Sequence, residues 1–171
     1  MHDTELTSEW VTRWAGRIAP QGRVLDVASG SGRHARWLAG RGFVVDAVDR
    51  DADALAKLNA VAGVTTHVAD IENGPWPFAP RQYAGVVVAN YLHRPLFSAL
   101  IDALAPGGVL IYETFAVGNE RYGRPRNPAF LLKHGELLDV VRGRLRVIAY
   151  EDLEVTSPRP AAVQRICAQA A

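Results

Sequence analysis

The stretch from Val24 to Ala39, VLDVASGSGRHARWLA, places a run of apolar residues directly before a cluster of Gly and Ser. The apolar run is typical of a buried strand, and the basic segment after it has the pattern of a helix. Gly30 and Gly32 stand between the two, where glycine permits positive φ and lets a ligand approach the backbone. Asp26 lies inside the strand. The stretch predicts a strand, a turn that contacts a ligand and a helix, although a purely structural turn would also use glycine.

Composition and charge narrow the class of protein. The 171 residues are 49% hydrophobic and 22% charged, with a net charge of +1, which is typical of a globular protein and argues against a nucleic-acid polycation. We expect one domain over residues 1–171. The single cysteine, Cys167, excludes an intrachain disulfide and argues against a Cys-based metal site. No signal peptide or membrane span is recognisable, so we expect a cytoplasmic enzyme without a metal.

Apolar and helical segments alternate along the first two thirds of the chain. The segments that predict strands are 24–28, 43–49, 64–70, 83–92 and 109–115. The segments that predict helices are 6–18, 32–41, 51–61 and 95–104. The turn at Pro106, Gly107 and Gly108 is expected to stop the last of these helices. This alternation predicts a parallel sheet with helices on both faces.

The last third has a different pattern. Residues 116–135 form an irregular stretch rich in Gly, Pro, Asn and Arg, and a short helix is predicted near 135–141. Two strand candidates follow, 145–155 and 161–170, joined by a Ser-Pro-Arg-Pro turn. Strands joined so briefly must be antiparallel.

The segment from Gly30 to Ala35, GSGRHA, also fits the glycine pattern of nicotinamide dinucleotide-binding proteins, with Asp49 where a ribose-binding acid belongs. Two observations argue against this interpretation. The carboxylate of Asp26 is unhelpful beside a pyrophosphate but helpful beside an ammonium group. A dehydrogenase of this type also carries a substrate domain, for which 171 residues leave no room.

The segment from Leu25 to Gly32, LDVASGSG, resembles motif I of class I S-adenosylmethionine-dependent methyltransferases. Further landmarks of that family follow in order, namely VDAVDRD, HVADIEN, VVVANYLHR and LAPGGVLIYETF. The resemblance covers essentially residues 20–170. It implies an α/β, Rossmann-like fold with a seven-stranded, mostly parallel sheet, one antiparallel strand and helices on both faces. A departure stands at Ala28, where the commonest form of motif I has Gly.

The resemblance also implies roles for individual residues in binding S-adenosyl-L-methionine. The backbone of Ala28, Gly30 and Gly32 would contact the methionine tail, whose ammonium Asp26 would balance. Asp49 would accept hydrogen bonds from the ribose hydroxyls. The predicted adenosine and tail contacts are completed by Arg50, Asp70, Ile71 and Asn90. Arg50 is equally compatible with an exposed surface arginine.

Candidate catalytic residues lie near the ends of the fourth and fifth strands. Methyl transfer depends mainly on alignment, and a general base is needed only for a protonated acceptor. His93 is the best candidate for that base, because a histidine pKa ordinarily lies near neutrality, while a histidine bonded to backbone at the start of a helix is the alternative. Tyr91 and Glu113 are the other catalytic candidates, with an ion pair to an arginine as the alternative for Glu113. Arg94, Tyr112 and Phe115 are further candidates for contact with the substrate.

The loop NERYGRPRNP carries Arg121, Tyr122, Arg124 and Arg126. Several guanidinium groups on one ordered loop suit a carboxylate, a phosphate or another oxyanion. We therefore predict that this loop covers the substrate, while a solvated basic loop remains the alternative. Trp10 and Trp14 of the N-terminal helix, expected within 1–19, are candidates for the opposite side of the site, with core or surface packing of that helix as the alternative.

The segment from Phe130 to Leu138, followed by Tyr150 and Glu151, also resembles small methyltransferases related to the tellurite-resistance group. This resemblance implies methyl transfer to a small, anionic or soft nucleophilic acceptor, without a membrane or nucleic-acid partner. The alternatives are an RNA or protein methyltransferase and a non-catalytic scaffold that binds the adenosyl ligand. The oligomeric state is not predicted.

Overall fold

The computed structural model describes residues 6–171, and in that part of the chain seven strands form one sheet in the order β3-β2-β1-β4-β5-β7-β6. The strands are β1 (Arg23–Val27), β2 (Val44–Asp49), β3 (Val64–Val68), β4 (Tyr83–Ala89), β5 (Leu104–Phe115), β6 (Arg146–Val155) and β7 (Ala161–Gln169). All pairs among β1 to β5 are parallel, whereas β7 runs antiparallel to both β5 and β6. The predicted Rossmann-like sheet with one reversed strand is confirmed.

The helices of residues 6–171 are shorter than predicted. They are α1 (Glu9–Trp14), α2 (Arg33–Gly40), α3 (Ala52–Ala56), α4 (Phe97–Asp102) and α5 (Glu136–Val141). The N-terminal helix begins only at Glu9, because the Ser8 side chain caps it by accepting from the amides of Trp10 and Val11. Residues 1–5, part of the predicted N-terminal segment 1–19, lie outside the described residues.

Two predictions between β4 and β5 are wrong in detail. Pro95 belongs to a 3₁₀ turn, Arg94–Leu96, and α4 follows it only as far as Asp102. The turn residues Pro106, Gly107 and Gly108 do not separate helix from strand, because β5 already begins at Leu104. They lie within β5, where its register against β4 shifts. An irregularity in a strand and a helix stop have the same Pro-Gly signature.

Helices cover both faces of the sheet, as predicted. Strand β4 shows why its apolar run is continuous: Val86 and Val88 pack on one face and Val87 on the other. One face is covered by α1, α2 and α3, and the other by α4 and α5. Cys167 is fully buried among apolar side chains, and this burial raises the pKa of its thiol to about 11. Within residues 6–171, no helix has the length and apolar character needed to cross a bilayer.

The irregular stretch 116–135 is a closed loop on the last hairpin. An isolated parallel bridge joins Ala116 to Leu132 at its base. The buried Asn119 donates to the carbonyl of Pro125 at 3.1 Å and accepts from the amide of Ala162 at 3.2 Å. One side chain therefore ties the loop to the start of strand β7.

Candidate active site

The glycine turn between β1 and α2 combines two different requirements. Gly30, at φ 56, would leave an added Cβ with no neighbour within 4 Å, so its backbone faces open space. Gly32, at φ 86, would place a Cβ 2.4 Å from the side chain of Leu58. The absence of a side chain at Gly32 is thus already required by packing and by its positive φ. Of the two glycines, Gly30 is therefore the one whose backbone has free space beside it for a ligand.

A cavity of about 270 Å³ opens beside this turn. It lies where β1, β2, β3 and β4 end, which is the usual ligand crevice of an open α/β sheet. Six of the predicted cofactor residues line it, namely Ala28, Asp49, Arg50, Asp70, Ile71 and Asn90. Asp26, Gly30 and Gly32 are not among its lining residues. The structure therefore brings together predicted residues that lie up to 62 positions apart in the chain.

Two carboxylates of this cavity are held by backbone amides. Asp49 accepts from the amides of Gly30 and Asp51, both at 2.9 Å. Asp70 accepts from the amides of Glu72 and Asn73, both at 3.1 Å, and these bonds, the Asn73 amide foremost, hold the pKa of Asp70 below its usual value. A carboxylate has about four acceptor positions. Both groups thus keep capacity for hydroxyl or amino donors of a ligand.

Asp26 is a buried carboxylate with an unsatisfied oxygen. Its side chain is only 2% exposed, and within residues 6–171 its Oδ2 atom has no hydrogen-bond partner. Burial raises the pKa of Asp26 to about 7, although the backbone amide of Ala35 and the charge of Arg33 counteract that effect. A cationic group of a ligand placed nearby would stabilise the ionised form of such a buried carboxylate.

Tyr91 and His93, two predicted catalytic residues, share one carboxylate. The Tyr91 hydroxyl donates to Glu72 Oε2 at 2.8 Å, and His93 Nδ1 lies 3.5 Å from Glu72 Oε1. Burial and this hydrogen bond raise the pKa of Tyr91. Glu72 itself was not predicted, although its position two residues after Asp70 was a usable signal. Because Tyr91 and Glu72 line the smaller cavity, this trio stands at its rim.

Glu113, the third predicted catalytic residue, is held elsewhere. Its carboxylate lies 2.7 Å from Arg165 Nε and accepts from the Ser8 hydroxyl at 2.7 Å. It lines neither of the two cavities described here. The Arg165 guanidinium in turn lies 5.5 Å from the ring centroid of Trp10. Glu113 therefore fixes the start of α1 on the sheet.

His34, in the first turn of α2, has a structural role. The side chain is buried, and its Nε2 atom accepts from the backbone amide of Ser8 at 3.0 Å. Burial, with the adjacent charge of Arg33, lowers the pKa of His34 to about 3, so the ring stays neutral. Arg33 donates to the carbonyl of Leu6 at 2.6 Å. The first turn of α2 thus holds residues 6–8 in place.

A larger cavity of about 570 Å³ adjoins the first. Its lining includes Asn90, Phe115, Arg124, Arg126, Phe130 and Arg159. Asn90, at φ 56 directly after β4, lines both cavities. Arg159, in the turn between β6 and β7, was not predicted as a site residue, because a Ser-Pro-Arg-Pro sequence indicates only a turn.

Other loop residues predicted to contact the substrate lie outside this cavity. Arg121 pairs with Glu154, and its guanidinium lies 5.7 Å from the ring centroid of Tyr122. Tyr122 is 42% exposed. Arg121 and Tyr122 therefore brace the outer side of the loop.

Two further substrate candidates have structural partners. Arg94 makes a two-pronged ion pair with Glu136, at 2.8 and 3.0 Å, and donates to the carbonyls of Ala129 and Leu131. The buried Tyr112 donates to the carbonyl of Tyr91 at 2.6 Å. Arg94 thus anchors the far end of the loop.

The strand order and the glycine turn are those of a Rossmann-like fold, whose crevice at the strand ends holds an adenosyl or nucleotide ligand in many proteins. Residues 24–108 match the family model of the methyltransferase domain. This match shows that the chain contains a methyltransferase domain, and solved S-adenosylmethionine-dependent methyltransferases share its fold. A comparison with curated protein sequences gave no match.

Solved structures share the fold at low sequence identity. TehB from Haemophilus influenzae is 18% identical with a TM-score of 0.80, over 96% of this chain and 63% of that chain. An S-adenosylmethionine-dependent methyltransferase from Mesorhizobium loti is 17% identical with a TM-score of 0.75, over 97% and 99% of the two chains. Geranyl diphosphate C-methyltransferase from Streptomyces coelicolor A3(2) is 18% identical with a TM-score of 0.70, over 95% and 79%. This chain spans less than two thirds of the TehB chain.

Proposed function

We propose that this methyltransferase transfers a methyl group from S-adenosyl-L-methionine to a small, anionic or soft nucleophilic acceptor bound in the larger cavity. The observation that carries the proposal is the position of Asn90, which lines both the smaller and the larger cavity. A cofactor in one cavity and an acceptor in the other would meet at this residue. The Streptomyces relative, whose structure contains geranyl diphosphate and S-adenosyl-L-homocysteine, also acts on a small anionic molecule.

The residues of the smaller cavity fit the cofactor. Asp26 and Gly30 do not line this cavity, but the unsatisfied Oδ2 atom of the buried Asp26 suits an ammonium group and the backbone of Gly30 faces open space. Ala28, in the cavity wall, has a positive φ. Asp49 retains acceptor positions for a ribose diol. In the proposed arrangement Asp70 accepts from the adenine amino group, the Ile71 backbone contacts the ring, and Arg50 and Asn90 complete the contacts.

The cofactor supplies a methyl group on a sulfonium centre, which an acceptor displaces in line. The protein has to hold the acceptor in alignment, and this alone accounts for much of such catalysis. Where the acceptor arrives protonated, His93 is the proposed base, positioned with Tyr91 by Glu72. Glu113 acts in this proposal as a positioning residue, through Ser8 and α1.

Arg124 and Arg126 are proposed to bind the negative charge of the acceptor, because both line the larger cavity. Arg121 and Tyr122 are proposed to support them indirectly, by holding the outer side of the loop against β6 through Glu154. Guanidinium groups suit this role because their planar donors match carboxylate and phosphate oxygens.

Calorimetry with S-adenosylmethionine, S-adenosylhomocysteine and NAD tests the cofactor half of the proposal. We expect binding of both adenosyl ligands and none of NAD. A tritium-methyl screen over small thiols, carboxylates, oxyanions, tRNA and protein tests the acceptor half. Transfer to tRNA or protein alone would overturn the small-molecule proposal. Adenosyl binding without transfer to any acceptor class would support the scaffold alternative instead.

A further inference from the structure

We infer that the acceptor is an aromatic or similarly planar small molecule whose anionic group serves as a handle, separate from the atom that is methylated, and that Arg159 is a specificity-determining residue for that handle. The inference deepens the proposed function and rests on it. It differs from a bare oxyanion acceptor, in which the charged atom would itself receive the methyl group.

The first argument concerns charge. Among the described residues, Arg124, Arg126 and Arg159 line the larger cavity without an Asp or Glu beside them in its wall. None of the three takes part in an ion pair or side-chain hydrogen bond within residues 6–171, whereas Arg94 and Arg165 are both paired. Three uncompensated guanidinium groups around one cavity repel one another, and a bound anion relieves that repulsion.

The second argument concerns shape and polarity. The same cavity is lined by Phe115 and by Phe130, a residue whose side chain is 51% exposed. The Arg159 guanidinium lies 5.8 Å from the ring centroid of Phe115, so a cation already stands over an aromatic face there. A volume of about 570 Å³ is that of a site for an organic ligand, not for a single inorganic oxyanion. Aromatic walls and unpaired cations together suit a planar anion.

The third argument concerns the direction of binding. Asn90 belongs to both cavities, so the part of the acceptor nearest Asn90 is the part nearest the cofactor. The three arginines line only the larger cavity. An acceptor whose charge is bound by these arginines therefore presents a different atom at the shared wall. Arg124 and Arg126 come from the loop and Arg159 from the β6–β7 turn, and Asn119 ties these two segments together.

The test uses four probes and the full chain saturated with S-adenosylhomocysteine. Ligand-detected NMR titrations compare benzoate with benzyl alcohol, and phenyl phosphate with inorganic phosphate. We expect each aromatic anion to bind at least roughly tenfold more tightly than its partner, since one probe of each pair lacks either the charge or the ring. Phenyl phosphate against benzoate distinguishes phosphate from carboxylate as the preferred handle.

Three variants locate the binding. Arg159→Ala is expected to weaken benzoate binding roughly tenfold, as the loss of one charge-assisted hydrogen bond predicts. Phe130→Ala should weaken phenyl phosphate binding and leave that of inorganic phosphate unchanged. Arg142→Ala is the matched control, because within residues 6–171 this exposed arginine lines neither cavity and its one ion-pair partner is Asp139.

The possible failures are distinguishable. If benzoate binds no better than benzyl alcohol while S-adenosylhomocysteine still binds, the anionic handle is refuted and the proposed cofactor site stands. Equal binding of phenyl phosphate and inorganic phosphate refutes the aromatic part. Loss of S-adenosylhomocysteine binding in the parent chain would instead refute the proposed function itself. An Arg159→Ala variant with unchanged benzoate affinity removes Arg159 from the site.

Discussion

The carboxylate of Asp49 accepts a hydrogen bond from the backbone amide of Gly30 at 2.9 Å. The acid at the end of β2 therefore holds the turn that follows β1, while it also lines the smaller cavity. A ligand that binds Asp49 thus contacts a group already committed to the shape of the turn. The turn and the proposed ribose-binding acid therefore act as one unit.

Replacing Asp49 should remove this unit. We expect Asp49→Ala to weaken S-adenosylhomocysteine binding by about 100-fold, because two hydrogen bonds to a charged acceptor are lost at about 1.5 kcal/mol each. Calorimetry measures the change. Asp53→Ala is the control, since Asp53 is exposed in the first turn of α3 and does not line the cavity. Unchanged affinity in Asp49→Ala would show that the ribose site is misplaced.

Asp26 predicts a dependence of stability on pH. Burial raises the pKa of Asp26 from its ordinary 3.8 to about 7. Between these values the folded chain binds this proton and the unfolded chain releases it, so the contribution of Asp26 to stability falls as pH rises from about 4 to about 7, then levels off. Urea unfolding at pH 5 and pH 8 should show this loss in the parent chain and not in Asp26→Asn.

Ligand affinity should change with pH in the opposite direction. An ammonium group beside Asp26 favours the ionised carboxylate, so S-adenosylhomocysteine should bind more tightly as pH rises toward about 7. Below that pH, binding should release a proton, which calorimetry in buffers of different ionisation enthalpy detects. A proton release that persists in Asp26→Asn would contradict this assignment.

Ala28 has a positive φ of 53, a conformation that costs a residue with a Cβ about 1–2 kcal/mol. Ala28→Gly removes that cost, but it also increases the conformational entropy of the unfolded chain, which lowers the free energy of unfolding by about 0.4–1 kcal/mol. We expect a net gain near 0.5 kcal/mol, seen as a rise in Tm of about 1–2 °C. Ala39→Gly, the same change within α2, should instead destabilise the chain by about 1 kcal/mol. A fall in Tm for Ala28→Gly would contradict the backbone argument.

The loop depends on Arg94. Arg94→Lys keeps the charge but loses the fork that reaches Glu136 and the carbonyls of Ala129 and Leu131, so we expect a destabilisation of about 1–2 kcal/mol. Hydrogen exchange should rise selectively at the amides of 129–132. Arg144→Lys, at an exposed pair with Asp102, should change stability by less than about 0.5 kcal/mol. Equal exchange in both variants would argue against the anchor.

The sheet and the smaller cavity could be predicted because their signals are local. Buried parallel strands are continuous apolar runs, and the carboxyl ends of such strands meet at one edge. Asp49, Asp70 and Asn90 each follow or end such a run, so their convergence follows from the fold class alone. The family resemblance then indicated which ligand this edge binds.

Long-range contacts could not be predicted from the same patterns. The buried His34 accepts a hydrogen bond from the backbone amide of Ser8, which lies 26 residues earlier in the chain. Glu113 contacts the same serine across 105 residues. Gly32 owes its identity in part to the side chain of Leu58. Each of these partners lies on a different element, and neither periodicity nor turn chemistry shows which elements will meet.

Asn119 joins two segments that both lie after the matched methyltransferase domain, namely the loop 116–135 and the β6–β7 hairpin. The methyltransferase-domain match ends at residue 108, before every arginine of the larger cavity. Those arginines lie on the loop 116–135 and on the turn between β6 and β7, two segments that the hydrogen bonds of Asn119 connect. Under the proposed function, exchanging residues 116–171 between relatives would change which molecule is methylated and leave the proposed cofactor site unchanged.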